Sequence, residues 1–502
     1  MKRQRRSLWM ALVLVLLVGA QLCRAESKDQ LVLCQGGELP SFDPARMASS
    51  HDFNIGNRVF DLLYFWDQKG TPQPRVAQSH KLVNDTTWEF KLRKGIKFHD
   101  GSPLNAADVK FSIERMIDPA TKAVFASFYT TIKEVKVVDD LTVQVVTKAP
   151  DPILLKRLSL LMYILPSDLV QKQGAEAFFQ RPVGSGAWKF VSWNRNDRIV
   201  LEANESHWAG APKIPRLVIR PVPEVAARVA ELQTGNADVV TSIPPFLVPR
   251  LKESPNVAVH PMQTGRVLFI MLNTNGQDAL KNKKVRQAMN YAIDRKALTE
   301  KILLGSAAPS GVGISPLHFG YDAGIKPYPY DPAMAKKLLA EAGYPNGFKI
   351  EFNSPSGKYL MDKEVAEAVA KMLNGVGIQT ELKVLEWGTH MQIITGKKLK
   401  DAAFIGFGNV LSDADATLSM FYNPQSSSSY FSTASLTDKI TQARSTMDPK
   451  KRLALYKKIQ EELYDEAPMI YLYQQFDNYG SGKGLKGLEL WDEYFTFRNV
   501  TK

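Results

Sequence analysis

The chain has 502 residues, of which 44% are apolar, 23% charged and 10% aromatic, with only two cysteines. That balance fits a globular chain of roughly two to four domains, and it excludes wholesale disorder, a collagen-like repeat and a disulfide scaffold. The formal net charge is +13, spread along the chain without a block of like charges, so no nucleic-acid-binding arm is expected.

The chain opens with a basic stretch (Lys2, Arg3, Arg5, Arg6), an apolar run over 8–22, and Cys23-Arg24-Ala25. This is the layout of a cleaved secretory signal over 1–25, because the apolar run is shorter than the about 20 residues a membrane span needs. An uncleaved anchor and a lipid on Cys23 are the alternatives, although Gln21-Leu22 suits a lipobox poorly. Cleavage would remove five positive charges and leave a net charge of +8, with Cys34 as the one remaining cysteine. Cys34 lies in an apolar strand-like run over 31–34 and reads as a buried, inert thiol.

Further strands are expected over 88–92, 141–146, 198–202, 217–220, 378–385, 402–407 and 469–473, from their alternation or their apolar runs. Helices are expected from capping signals. Asn105 caps one that stops at Asp118-Pro119. Asp331-Pro332 opens one that Gly343 ends, and Asp448-Pro449 opens one running to about Glu466. Over 363–374, Val365, Ala366, Val369, Met372 and Leu373 share one helical face. Mixed strands and helices over this length predict an α/β fold with several sheets.

Enzyme motifs do not assemble. Of seven histidines, no two stand four apart, so a His-Glu-x-x-His zinc site is absent. Val183-Gly184-Ser185-Gly186 lacks the spacing of a nucleophile elbow, and Gly480-Ser481-Gly482-Lys483-Gly484 lacks that of a phosphate loop. Asp413 and Asp415 read as cap or turn residues. No catalytic residue, cofactor or metal is expected.

The informative strings lie elsewhere. Residues 88–112 give a strand, a glycine turn, Phe98-His99-Asp100-Gly101 and a capped helix. Pro182-Val183-Gly184-Ser185-Gly186-Ala187-Trp188, Asn204-Glu205-Ser206-His207-Trp208-Ala209-Gly210, Leu232-Gln233-Thr234-Gly235-Asn236-Ala237-Asp238 and Val285-Arg286-Gln287-Ala288 to Ile293-Asp294-Arg295 follow in order, then Tyr330-Asp331-Pro332. Together these resemble the family 5 extracytoplasmic solute-binding proteins of ABC importers, over essentially 30–500. The resemblance implies an α/β fold of the type II periplasmic binding protein kind, with two hinged lobes and an extra subdomain in the larger one. By that pattern 26–60, 182–262 and 476–502 form domain I, 61–181 domain II and 263–475 domain III, with hinges near 262 and 476. It also implies a periplasmic, non-enzymatic monomer that captures a peptide-like solute and hands it to inner-membrane permease subunits. An opine, an oligosaccharide, a metal chelate or a sensory role are the alternatives.

The resemblance also nominates the ligand contacts. These are Phe42 near the mature start, Lys358 and Tyr359 where peptide-type members have Gly-Arg-Tyr, Trp387 of a Glu-Trp pair, and Phe407, Gly408, Asn409 and Asp413 along a pocket strand. Lys358 would meet a ligand carboxylate or be solvated, and Trp387 would stack on ligand or pack in the core. Dipeptide-type members carry an aspartate where this chain has Val410, so the resemblance leaves a ligand α-amine without an obvious anionic partner and weakens the dipeptide reading.

Overall fold

A computed structural model of the protein describes residues 29–408 and 410–502. The signal-like segment and Asn409 lie outside them. Two long strands organise the chain: Val257–Leu272 and Met469–Gly482, paired antiparallel. The second of these was expected to end near Tyr473. It runs nine residues further because its C-terminal half pairs with Val257–Gln263 in one lobe and its N-terminal half with Val267–Met271 in the other. Between the two halves the register breaks from Gln263/Phe476 to Val267/Gln474. Short-range alternation cannot reveal that a strand passes from one body to the next.

On one side of this spine the sheet continues through Val239–Val240, Gln30–Gln35, Arg216–Pro221, Arg198–Ala203 and Trp188–Asn194. On the other it continues through Ala402–Phe407, Phe348–Pro355 and Ile378–Leu385. In that smaller lobe Val267, Phe269 and Met271 enter one core while Leu268, Ile270 and Leu272 enter another, so both faces of the strand are buried. This is why the run reads as continuously apolar.

The larger lobe also carries a separate four-stranded sheet, in the order Ala77–Asn84, Thr87–Leu92, Thr142–Thr147, Ile132–Asp139. The helix Ala106–Ile117 covers it. Asn105 caps that helix, as expected, by accepting from Ala107 N and Asp108 N, and Asp108 answers the Asn105 N–H to complete a reciprocal box. The Asp-Pro starts also hold, in Pro332–Glu341 and Pro449–Glu466. His99 is a structural residue: Nδ1 accepts from Gly184 N at 3.2 Å and Nε2 contacts Gly186 O at 2.9 Å. Gly184 must be glycine, since a Cβ there would stand 1.9 Å from Val59 O. Cys34 is fully buried, and burial raises its thiol pKa to about 11, which leaves it inert.

Candidate functional site

A cavity of about 660 Å³ opens between the lobes. The larger lobe contributes the start of the helix Ser50–Val59, with His51, and the residues Arg228 and Phe246. The smaller lobe contributes the loop 357–361, Trp387 and the strand end 406–408. The crossing strands supply Arg266, Gln475 and Asp477, and the tip of a C-terminal hairpin supplies Asp492 and Glu493.

The loop 357–361 is fixed from below. The Asp362 carboxylate accepts the backbone N–H groups of Gly357, Lys358 and Tyr359 at 2.8–3.0 Å. Tyr359 is buried, donates its hydroxyl to Gly406 O at 3.1 Å, and meets Trp387 edge-on with centroids 5.9 Å apart. Trp387 begins a helix capped by Glu386, which accepts from Thr389 N. Lys358 Nζ lies 4.8 Å over the Trp387 ring, a cation–π contact. It has no carboxylate partner among the described residues, and burial, followed by the nearby Arg266 charge, lowers its pKa.

The opposite wall is anionic. Arg266 makes a two-pronged pair with Glu493 at 2.8–3.1 Å. Burial alone would raise the Glu493 pKa, but the guanidinium and the hydroxyl of Ser50 outweigh it and hold the carboxylate ionised. Asp477 is placed differently. Among the described residues its carboxylate accepts one side-chain hydrogen bond, from Gln475 Nε2 at 2.8 Å. Burial first, then Glu493, pushes its pKa up to about 6. Among the described residues Asp477 makes no direct ion pair, although the Arg266 charge nearby partly offsets its burial, and Lys358 likewise makes none. His51 is held neutral, with burial driving its pKa down to about 4.

Of the nominated contacts, Lys358, Tyr359, Trp387, Phe407 and Gly408 line the cavity, while Asn409 lies outside the described residues. Trp387 is half-buried, so it both packs and faces the cavity. Phe42 does not reach the cavity. It is fully buried against Phe190 and Trp193 at 5.5 and 5.4 Å, because Asp43 turns the chain there by capping Pro44–Arg46 and pairing with Arg115. Asp413 does not line it either. It caps the helix Ala414–Tyr422 and is bound by Lys156, Arg452 and Tyr456. Asp477, Glu493 and Arg266 escaped the sequence reading, although Asp477 is the one charged residue in the strand Met469–Gly482. Asp477 and Glu493 place two carboxylates on this wall, where the comparison of Val410 with the dipeptide-type aspartate had left none.

Comparisons with known proteins agree with this geometry. Residues 71–429 match the model of the bacterial extracellular solute-binding proteins, family 5, middle region. A glutathione-binding protein, GsiB, of Shigella dysenteriae serotype 1 is 30% identical over 493 residues, covering 95% of each chain. The periplasmic binding protein DppA of Helicobacter pylori, solved with the peptide STSA, superposes with a TM-score of 0.83 at 26% identity, covering 95% of this chain and 99% of that one. AgaA from A. tumefacien R10, solved with agropinic acid, gives a TM-score of 0.80 at 26% identity, covering 91% and 94%. The chain belongs to the bacterial extracellular solute-binding proteins of family 5.

Proposed function

We propose that this protein captures a zwitterionic, peptide-like solute between its lobes in the periplasm and delivers it, chemically unchanged, to an ABC permease. The observation that carries this reading is the complementary pair of unmatched charges in one cavity: Lys358 over Trp387 on the smaller lobe, and Asp477 on the crossing strand. A ligand bringing both a carboxylate and an ammonium group would satisfy each, whereas burying either alone is costly. The volume suits a short peptide or a peptide conjugate. Glutathione, which carries two carboxylates and one amine, is the first ligand to test, given the relatives named for it.

The register break between Gln263 and Val267 supports a hinge at that point. The separate four-stranded sheet within 77–147 supports reading 61–181 as its own subdomain, with 26–60, 182–262 and 476–502 as domain I and 263–475 as the other lobe. Calorimetry with glutathione, its N-acetyl derivative and a C-terminally amidated analogue tests the charge assignment. Each blocked form should bind at least tenfold more weakly, or by about 1.4 kcal/mol. Saturating ligand should also reduce the radius of gyration in solution scattering. Equal binding of all three forms, or an unchanged radius at saturation, refutes the reading.

A further inference from the structure

A second chamber, about 360 Å³, lies in the larger lobe on the far side of the C-terminal hairpin Glu489–Trp491/Tyr494–Thr496. It is separate from the interlobe cavity, with no lining residue in common. Its walls are aromatic: Phe65 meets Trp491 with centroids 6.3 Å apart, and Phe60, Trp66 and Trp188 complete the lining.

Its polar groups divide into those already committed and those left over. Asp61 Oδ2 accepts from Ser185 Oγ and Trp208 Nε1, both at 3.0 Å. Asp67 accepts from Lys69 N, Thr71 N and Gln73 Nε2 at 2.8–3.0 Å. Arg58 donates to Phe495 O at 2.5 Å and lies over the Phe495 and Phe497 rings. The remainder are donors. No carboxylate or carbonyl among the described residues accepts from the Arg75 guanidinium, which sits 5.9 Å from the centroid of the Phe65 ring. Arg498 makes a single bond, to Ala209 O at 2.8 Å. Trp491 Nε1 is buried with no hydrogen-bond partner among the described residues, whereas His207 Nε2 stands 3.6 Å from Asp61 Oδ2. Glu489 stands exposed at the rim. Asp61 and Asp67 are thus occupied by neighbouring donors, while Arg75, Arg498 and the Trp491 indole N–H keep capacity to donate beside aromatic walls. Buried donors left unpaired are costly, and an arginine fork matches a carboxylate with two parallel bonds.

We infer that this chamber is a second binding site, for a small organic anion with a flat apolar body such as an aromatic carboxylate. Arg75 and Arg498 receive the anionic group, Phe65 and Trp491 clasp the ring, and the Trp491 indole N–H supplies a further donor.

The test uses the full mature chain with 15N-labelled tryptophan and 2-naphthoate as probe. The Trp491 indole resonance is assigned by its loss in Trp491→Phe. Titration should shift that resonance saturably. Arg75→Gln and Arg498→Gln should each weaken binding at least tenfold, and the neutral analogue 2-naphthalenemethanol should bind at least tenfold more weakly than the anion. Lys358→Gln, in the interlobe cavity, should leave the shift in place. The inference fails if millimolar 2-naphthoate leaves the resonance unmoved, if both arginine variants bind as the natural chain does, if the neutral analogue binds as tightly, or if Lys358→Gln abolishes the shift. Should one arginine variant fail to fold, the other variant and the neutral analogue still decide the matter.

Discussion

Replacing Asp477 with asparagine should stabilise the free protein and weaken ligand binding. In the folded chain the carboxyl has a pKa of about 6, against 3.8 when unburied, because burial and then Glu493 oppose its charge. Between those two values the folded state holds more protons at this position than the unfolded state does, so stability falls as pH rises through the window and the loss is complete above about pH 6. At 1.36 kcal/mol per tenfold change in proton affinity, the ionised aspartate costs the free protein about 3 kcal/mol at neutral pH. Asparagine has the same shape, keeps an oxygen to accept from Gln475 Nε2, and carries no charge. With an unfolding entropy of about 2 cal/mol/K per residue, a chain of this size gains about 3 °C in melting temperature at pH ~7.5 and only about 1 °C at pH ~4.5. Scanning calorimetry of the ligand-free protein at the two pH values measures this directly. Titration calorimetry at neutral pH should show binding of an amine-bearing ligand weakened by about 1.5–3 kcal/mol, the range for a hydrogen bond to a charged group. A variant that melts like the natural chain at both pH values, or gains the same amount at both, would show that Asp477 is not a strained carboxylate. Unchanged affinity would remove it from the site.

Other perturbations separate binding residues from structural ones. Lys358→Met should weaken a carboxylate-bearing ligand by about tenfold or more, and Trp387→Ala should do likewise, since closure of the lobes on a ligand would desolvate a cation–π pair that stands exposed at Lys358 in the free protein; titration calorimetry reads both. Phe42→Ala should cost about 3–5 kcal/mol of stability in denaturant melts and leave affinity alone, because its ring packs on Phe190 and Trp193 rather than in the cavity. Mass spectrometry of the exported protein should find a chain beginning near Glu26 with no acyl mass; a diacylglyceryl Cys23 would show a lipid-anchored protein instead.

What could be read from the sequence was local in origin. Caps such as Asn105 and Asp448 act within one turn, so their side chains announce the helices that follow. The smaller-lobe wall was also legible, because the loop 357–361 and the Trp387 helix start each hold their shape through neighbours in sequence, Asp362 and Glu386. The opposite wall was not legible. Asp477 and Arg266 stand more than 200 residues apart and meet only because two strands pair across both lobes, and Glu493 arrives on a hairpin beyond them. Phe42 and Asp413 failed for the opposite reason. Each belongs to a string that resembles the family, but such strings also preserve turns and caps, and both positions are occupied in making them.

The same hairpin tip explains how ligand recognition and lobe motion share parts. Asp492 and Glu493 stand at φ of 42° and 66°, a left-handed turn normally filled by Asn-Gly and unfavourable for these side chains by roughly 1–2 kcal/mol each. What holds them there lies in the register break: the Gly265 N–H donates to Asp492 Oδ1, and Arg266 grips Glu493. A Cβ on Gly265 would meet His318 Nε2 at 2.3 Å, so any larger residue there would have to push the buried His318 ring aside. Between Gln263 and Val267, side chains take over contacts the backbone ladder supplies elsewhere. Thr264 O accepts from Gln474 Nε2, and Thr264 Oγ1 donates to Gln475 O. Bonds made by rotatable side chains can be exchanged without unzipping the strands on either side, which is what the proposed hinge at this point would require. Because Arg266 and Glu493 also line the cavity, a ligand carboxylate that draws on Arg266 acts on the clamp that sets the bend. Differential contact of this kind is what a ligand needs in order to shift a two-state hinge.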